Sequence, residues 1–240
     1  IKGSENPLPI NYLENKGSAQ VKSSIILAGL KTKGKTFIKS KPSRNHTELL
    51  CKYLKLPLKV KKKKNYDLIE VEKAQKIKPL NYKIPSDISS AAFFIVLTAL
   101  SNNSKLLIKN VNINPSRIGI ITILKKMGVN IKFKNKKNYK GELVADISIT
   151  SSKKLRAINC PPKLNSGAID EFLIIFLVAA KASGVSYFKD IGELNQKESP
   201  RLKWGAKILN KMGIKTITTD SSIKIFGNPN LKINKKIVIK

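Results

Sequence analysis

The feature that most constrains the fold of this chain is an internal repeat. Three apolar segments of similar length recur, and each is followed by a polar turn and a short strand-like segment. The apolar segments are residues 25–30, 94–100 and 174–180, and the strand-like segments after them are residues 36–38, 106–108 and 186–188. Such runs are typical of buried helices and strands. Because self-similarity at a long, nearly regular spacing indicates repeated supersecondary units, we predict that each copy folds in the same way.

The second half of each repeat begins with a polar loop that ends in arginine, at residues 42–44, 115–117 and 199–201. A second helix follows, and two of these helices end in Lys-Met-Gly, at 126–128 and 211–213. Glycine is usual just past a helix C-terminus. The predicted unit is helix, strand, helix, strand, strand over roughly 70 to 85 residues, which suits an α/β fold with layers of helix and sheet. A break between residues 78 and 83 predicts two domains, 1–83 with one copy and 84–240 with two.

The chain carries a formal net charge of +32, from 47 Lys and Arg against 15 Asp and Glu. Such a charge is typical of nucleic-acid-binding proteins, which are the alternative from a different functional class. The composition argues against that class, because Lys, Asn and Ile are all abundant and share A/T-rich codons, and because the lysines are spread along the chain. We predict that the excess lysines lie on the outer surface, with the densest run, Lys61–Lys64, in a solvated loop.

Arginine is rare in this chain, and its positions are informative. The arginines are Arg44, Arg117, Arg156 and Arg201, and three of them end the equivalent loops of the repeats. Lysine cannot replace the rigid, bidentate guanidinium fork that binds phosphate or carboxylate. We therefore expect anion binding first of all at Arg44 and Arg201, and then at Arg117. The alternative is that each arginine only caps or packs a helix start.

Charged and capping side chains mark three helix starts. Ser18 is a suitable N-cap for the first helix, whose N-terminal N–H groups would favour a phosphate. Asp170 lies two residues before the apolar run 172–180, where a carboxylate either compensates the helix dipole or serves as a general base. Lys197, Glu198 and Arg201 lie within five residues at a loop-to-helix junction. They form either a surface salt-bridge cluster or part of a site.

The cysteines and the histidine are expected to be structural. Cys51 and Cys160 are isolated and lack metal-binding spacing, so we expect both to be reduced core residues, as in cytoplasmic proteins. His46 is expected to lie at a helix start. The first residues show no signal-peptide pattern, and the longest apolar run, residues 172–180, is about half of a membrane span.

The sequence contains six short motifs: Ser-Ala-Gln-Val-Lys-Ser at 18–23, Arg-Asn-His-Thr-Glu at 44–48, Asp-Ile-Ser-Ser-Ala-Ala-Phe at 87–93, Asn-Pro-Ser-Arg at 114–117, Ile-Asp-Glu at 169–171 and Lys-Glu-Ser-Pro-Arg-Leu at 197–202. Together, and in this order, they resemble the motifs of EPSP synthases, particularly the glyphosate-tolerant bacterial class. The chain departs from that pattern at Asn45 and Pro200, where the family has Asp, and at Ser86, where Gly is usual.

The resemblance implies a two-domain α/β (α+β) fold of repeated β-α-β-α-β-β units, an inside-out α/β barrel, which is incomplete here. It implies a cytoplasmic transferase that moves the enolpyruvyl group of phosphoenolpyruvate to the 5-hydroxyl of shikimate-3-phosphate, in the shikimate pathway to chorismate and the aromatic amino acids. The reaction would need no metal and no other cofactor. The partners would be these two small molecules, without nucleic acid or membrane, and the full-length protein is expected to be a monomer.

The resemblance also implies roles for individual residues. Ser18, Ala19 and Gln20 would hold shikimate-3-phosphate, with its phosphate near the helix end, and Arg44 would reach the same phosphate.

Four further roles concern the reaction itself. Asp170 would be the base for the attacking hydroxyl, and Lys197 would neutralise charge beside it. Glu198 would exchange the proton at the methylene carbon of phosphoenolpyruvate, and Arg201 would bind phosphoenolpyruvate.

Several other motifs of the family have no counterpart, and the chain has a little over half of the family's usual length. We therefore expect a central fragment that is nearly inactive by itself. The nearest alternative is the sister enzyme that transfers enolpyruvyl to UDP-N-acetylglucosamine. The hallmark reactive cysteine loop of that enzyme has no counterpart at Cys51 or Cys160.

Overall fold

The computed structural model describes residues 4–152 and 154–232. Its contacts divide the chain into two compact units. The first takes in the chain up to Ile84 together with Asn138–Leu143, and the second takes in Pro85–Lys137 and the chain from Val144 onward. The domain boundary placed after residue 83 stays a prediction, because compactness alone does not define a domain that folds independently.

The first unit is a four-stranded sheet covered by two helices. Its elements are β1 (Asn11–Glu14), α1 (Ala19–Gly29), β2 (Lys35–Ser40), α2 (His46–Tyr53), β3 (Leu58–Lys62) and β4 (Asp67–Glu72). The strands lie in the order β1-β2-β4-β3, with β1 parallel to β2 and the other neighbours antiparallel. Burial alternates strictly along β2, which is the pattern of a strand with one face on the core.

The core of this unit lies between α1 and the sheet. Ile26 and Leu30 lie one helical turn apart and pack with Ile38, Ile69 and Val71 of the strands. Because burial of such side chains contributes about 1.5 to 3 kcal/mol each, this cluster holds α1 on the sheet.

The second unit contains two further copies of the repeat. The elements of the first copy are α3 (Ile88–Leu100), β5 (Lys105–Asn112), α4 (Gly119–Lys126), β6 (Asn130–Tyr139) and β7 (Glu142–Thr150). Of these strands, the ends at residues 138–143 belong to the first unit. Those of the second copy are α5 (Phe172–Lys181), β8 (Gly184–Phe188), α6 (Arg201–Lys211), β9 (Thr216–Thr218) and β10 (Ile223–Gly227). Phe172, Phe176 and Phe188 form a buried aromatic cluster beneath α5, with ring centroids 5.3 to 6.0 Å apart.

The predicted repeat is confirmed. The three sheets have the equivalent strand orders β2-β4-β3, β5-β7-β6 and β8-β10-β9, and β1 adds a parallel strand beside β2. In the other copies, isolated parallel bridges join Ser86 to Val111 and Asn159 to Tyr187, at the position that β1 occupies. Gly128 and Gly213 end their helices with φ of 93° and 83°, the left-handed conformation that glycine tolerates best. In the part of the chain that the structure describes, the sheets are open and none closes into a barrel.

The prediction that Lys61–Lys64 form a loop was wrong for the first two of these residues. Lys61 and Lys62 pair with Leu68 and Asp67 and complete β3, and only Lys63 and Lys64 lie in the turn. β3 is an edge strand with a single neighbour. Lysine is common on such strands, because its charge opposes pairing with another chain. All four lysines are exposed, as predicted.

Both cysteines are buried and free, as predicted. Burial raises the pKa of the Cys160 thiol to about 11. Since the thiolate is the reactive form, we expect Cys160 to react far more slowly than a free thiol with iodoacetamide at pH 8, and to become reactive in urea. Mass spectrometry of the alkylated peptides would measure this difference. Rapid modification in the native protein would contradict the buried position.

Among residues 4–152 and 154–232, the structure has no helix that is long and apolar enough to cross a membrane.

Candidate active site

The start of α1 is built by a short polar loop in the first unit. Ser18 is the N-cap, and its Oγ accepts a hydrogen bond from the backbone N–H of Val21 at 3.3 Å. Glu14 accepts hydrogen bonds from the backbone N–H groups of Lys16 and Gly17, at 2.9 and 2.8 Å. Ala19 and Gln20 are the first two helical residues. The first N–H groups of a helix have no acceptor within it, so this end is suited to an anion.

The Glu14 carboxylate stabilises this loop in its charged form. Burial raises the pKa of Glu14, but hydrogen bonds from the backbone N–H groups of Ser18, Gly17 and Lys16 and from the Ser40 hydroxyl together lower it below its ordinary value. The loop that precedes Ser18 is therefore held by a carboxylate that stays ionised near neutral pH.

The start of α2 carries the other predicted anion ligand of the first unit. Arg44 is partly buried and lies two residues before His46, the first residue of α2. The Nδ1 atom of His46 lies 2.5 Å from Oε1 of Glu142, which is buried. His46 was predicted at a helix start and is found there, whereas its contact with Glu142 had no signal in the local sequence.

Two contacts that the sequence did not predict join α1 to α2. Lys22 Nζ lies 2.7 Å from Glu48 Oε1, and the hydroxyls of Ser23 and Thr47 are hydrogen-bonded at 2.7 Å. Lys22 precedes Ile26 by four residues and so shares the buried stripe of α1. A lysine on an apolar stripe was the signal that Lys22 is buried and needs a partner, but it does not identify Glu48 as that partner.

In the second unit, Arg201 brings two of the predicted catalytic carboxylates together. It is the first residue of α6, and its guanidinium contacts Asp170 Oδ1 at 3.5 Å and Glu198 Oε2 at 2.6 Å. The Nζ atom of Lys197 instead lies 2.8 Å from Oε1 of Glu193, in the preceding turn. The side chain of Asp170 is 29% exposed and that of Arg201 is 24% exposed, so water and small molecules can reach this cluster.

The hydrogen bonds of Glu198 favour its carboxylate form. Its own backbone N–H, and then the Arg201 guanidinium, hold the pKa of Glu198 below its ordinary value. An anion that binds Arg201 in place of Glu198 would weaken this effect, and the carboxyl group would then take up a proton more easily.

Arg117, the third of the equivalent arginines, contacts protein groups. Its Nη2 donates to Asp87 Oδ1 at 3.0 Å and to Ser89 Oγ at 2.6 Å. The Ser89 hydroxyl in turn donates to Glu171 Oε1 at 2.5 Å, and Glu171 is buried. These contacts connect the starts of α3, α4 and α5, and Glu171 is the neighbour of Asp170.

A close backbone approach also fixes the segment before Asp170. A methyl group at Gly119, the first residue of α4, would lie 2.6 Å from the carbonyl carbon of Gly167 and 2.7 Å from the carbonyl oxygen of Leu164. Glycine at 119 therefore allows α4 to pack directly on the backbone that leads to Asp170.

The structure thus positions the predicted residues in two groups. Ser18, Ala19, Gln20 and Arg44 lie at helix starts of the first unit, and Asp170, Glu198 and Arg201 form a cluster in the second, with Lys197 on its border. The roles of these residues stay predictions. In the part of the chain described, no group of three or more His, Cys, Asp or Glu side chains could hold a metal ion.

Solved structures share this fold. An EPSP synthase from Acinetobacter baumannii matches with a TM-score of 0.83 and 38% identity, over 92% of this chain and 49% of that one. The enolpyruvyl transferase NikO from Streptomyces tendae matches with a TM-score of 0.65 over 92% of this chain and 52% of that one, and at 14% identity it shows the fold alone. The repeated units therefore have the fold of an enolpyruvyl transferase.

Sequence comparison identifies the family within that class. The family model for EPSP synthase (3-phosphoshikimate 1-carboxyvinyltransferase) matches residues 2–235, and the chain belongs to this family. A 3-phosphoshikimate 1-carboxyvinyltransferase from Ruthia magnifica is 42% identical over 228 residues, which cover 95% of this chain and 51% of that protein. A 3-phosphoshikimate 1-carboxyvinyltransferase from Caldicellulosiruptor bescii is 40% identical over 229 residues, which cover 95% of this chain and 52% of that protein. The chain spans about half the length of the curated relatives it matches.

Proposed function

We propose that the protein to which this sequence belongs transfers the enolpyruvyl group of phosphoenolpyruvate to the 5-hydroxyl of shikimate-3-phosphate, and releases inorganic phosphate. The observation that carries the proposal is the Asp170–Arg201–Glu198 cluster, in which one guanidinium contacts both carboxylates that the chemistry requires. Family membership supports the same reaction.

The reaction needs a base for the hydroxyl and an acid for the methylene carbon. Asp170 takes the proton of the attacking hydroxyl as its oxygen bonds to the central carbon of phosphoenolpyruvate. Glu198 gives a proton to the methylene carbon. In the second step the Glu198 carboxylate takes a proton back from that carbon, the bond between the central carbon and the phosphate oxygen breaks, and the enol double bond forms. Inorganic phosphate leaves with the proton that Asp170 had taken, and no redox partner is required.

The cations have separate tasks in this scheme. Arg201 binds phosphoenolpyruvate in place of Glu198, so the carboxyl group takes up a proton more easily when the substrate is present. Lys197 offsets negative charge beside Asp170. Fixed cations are needed because two polyanionic substrates must share a small space.

The shikimate-3-phosphate contacts are proposed at the two helix starts of the first unit. The side chains of Ser18 and Gln20 and the N-terminal N–H groups of α1 hold the ligand, with Ala19 leaving room for it. Arg44 reaches the phosphate through a bidentate contact that lysine could not make. Neither of the two alternatives, the UDP-N-acetylglucosamine enzyme and a nucleic-acid-binding protein, is favoured by the family match.

We further propose that the protein works in the cytoplasm as a monomer. The free, buried cysteines support a reducing compartment.

The proposed function is tested with two proteins. The 240-residue chain should bind shikimate-3-phosphate weakly, but more tightly than shikimate. It should release phosphate from both substrates at well under 1% of a typical rate of about 10 s⁻¹. We expect the half of the relatives that this chain does not match to supply further cations. Losing one such donor lowers the rate about 10²- to 10³-fold.

The second protein is a chimera in which this chain replaces the matching half of the Caldicellulosiruptor bescii relative. It should regain turnover in a phosphate-release assay. The proposal is wrong if the isolated chain shows no preference for shikimate-3-phosphate over shikimate and the folded chimera releases no phosphate.

A further inference from the structure

Within the described residues, Lys22 is the one lysine that is buried. The side chain of Lys22 is 0% exposed and that of Glu48 is 6% exposed, and their Nζ and Oε1 atoms lie 2.7 Å apart. The contact is an ion pair rather than a well-aligned hydrogen bond, and the second oxygen of Glu48 has no protein hydrogen-bond partner among the residues described.

Stability does not account for such a pair. Moving two charges out of water costs several kcal/mol per ion, and an apolar pair of similar volume is often equally stable or more stable. The incomplete hydrogen bonding makes the compensation poorer still. An ion pair differs from an apolar pair in one respect: a buried charge is strongly destabilised when its partner is displaced, so the pair favours one alignment of the two elements.

The pair is located where alignment matters for the proposed ligand. Lys22 is the fourth residue of α1, and Glu48 is the third of α2. The hydrogen bond between Ser23 and Thr47 lies directly beside the pair. Both contacts therefore lie within the first five residues of α1 and the first three of α2, and they bring the two N-terminal ends side by side.

We propose that Lys22 and Glu48 are positioning residues for phosphate recognition. By fixing α1 against α2, they hold the N-terminal N–H groups at Ser18–Gln20 and the guanidinium of Arg44 in the one arrangement in which both meet the same phosphate. The inference rests on the proposed function, because it takes shikimate-3-phosphate as the ligand. Displacements of about 1 Å are enough to weaken such multi-point contacts strongly.

The test replaces both charges by methionine, Lys22→Met with Glu48→Met, in the 240-residue chain. Methionine approximates the length of both side chains and leaves no unpaired buried charge. Backbone amide NMR spectra of residues 18–21 are followed during titration with shikimate-3-phosphate and, separately, with shikimate. We expect the affinity for shikimate-3-phosphate to fall at least tenfold, the affinity for shikimate to stay within twofold, and the urea midpoint to be unchanged or raised.

A matched control uses an exposed ion pair of the same unit. Lys35 Nζ lies 2.8 Å from Glu70 Oε1, between β2 and β4 and away from both helix starts. The variant with Lys35→Met and Glu70→Met should bind both ligands as the unmodified chain does. A second variant, Ser23→Ala with Thr47→Ala, removes the neighbouring contact and should weaken shikimate-3-phosphate binding by a smaller factor, two- to fourfold.

Each outcome decides a different question. If the methionine pair keeps the full preference for shikimate-3-phosphate, the positioning role is wrong. If the methionine pair does not fold, the two charges serve stability and the positioning role is again wrong. If the unmodified chain itself shows no preference for shikimate-3-phosphate over shikimate, the proposed ligand is wrong for this chain and the inference fails together with it.

Discussion

Replacing Arg201 by lysine in the chimera is expected to lower kcat/KM by about 10²- to 10³-fold, the usual cost of one fixed donor in a catalytic site. The guanidinium contacts Asp170 and Glu198 with two different nitrogens. A lysine ammonium is a single point of charge and cannot make both contacts while also binding a substrate anion. The loss should include a higher KM for phosphoenolpyruvate, measured by phosphate release at varied substrate concentration.

Two further measurements make this prediction specific. The pKa of Glu198, followed by carboxyl NMR in the 240-residue chain, should rise in an Arg201→Ala variant, because the guanidinium that favours the carboxylate is gone. The control is Arg156→Lys, since the Nε atom of Arg156 donates to the carbonyl oxygen of Lys126, at the end of α4, and not to the cluster of Asp170 and Glu198. A kcat/KM within threefold of the unmodified chimera for Arg201→Lys would remove Arg201 from the mechanism.

Replacing Gly227 by alanine is expected to destabilise the second unit by about 3 kcal/mol, the upper range for overpacking. A methyl group there would clash with the carbonyl oxygens of Ala182 and Ala179, with 2.6 Å to the latter. Both oxygens belong to the rigid end of α5, so neither can move aside easily. The urea transition, followed by the fluorescence of Trp204 in α6, would measure the loss.

Gly213 provides the matched comparison in the same unit. Its φ is 83°, but no atom lies within 4 Å of the position that a methyl group would take. Alanine there should cost only the backbone strain, about 1 kcal/mol. Equal losses at the two positions would show that the close approach of Gly227 to α5 is absent in solution.

The repeat could be predicted because its information is local. An apolar run such as 174–180 indicates a buried helix, and the β-branched or aromatic residues after the turn indicate a strand. Both signals lie within one short stretch of sequence. The glycines at 128 and 213 mark helix ends for an equally local reason. The strand assignment of Lys61 and Lys62 was missed because an edge strand does not need the alternation of a buried one.

The candidate site was predictable only in part. Motif resemblance identified Asp170, Glu198 and Arg201, and the structure brings these three together. The buried partners of the helix starts were not predicted. The pairing of Lys22 with Glu48, and that of Arg117 with Ser89, join residues 26 and 28 positions apart, respectively. No local period or propensity encodes such contacts, which depend on how the helices pack.

The lysine-rich edge strands have a consequence for how copies of this protein behave toward one another. β3 and β6 each lie at the edge of a sheet, and their lysines are exposed. An open edge is a template for pairing with another chain, and like charges along it oppose that pairing. This repulsion reaches only about 10 Å at 0.1 M salt and shorter distances above that. The surplus of lysine therefore protects the chain from edge-to-edge aggregation most strongly in dilute salt, and this protection is lost as ionic strength rises.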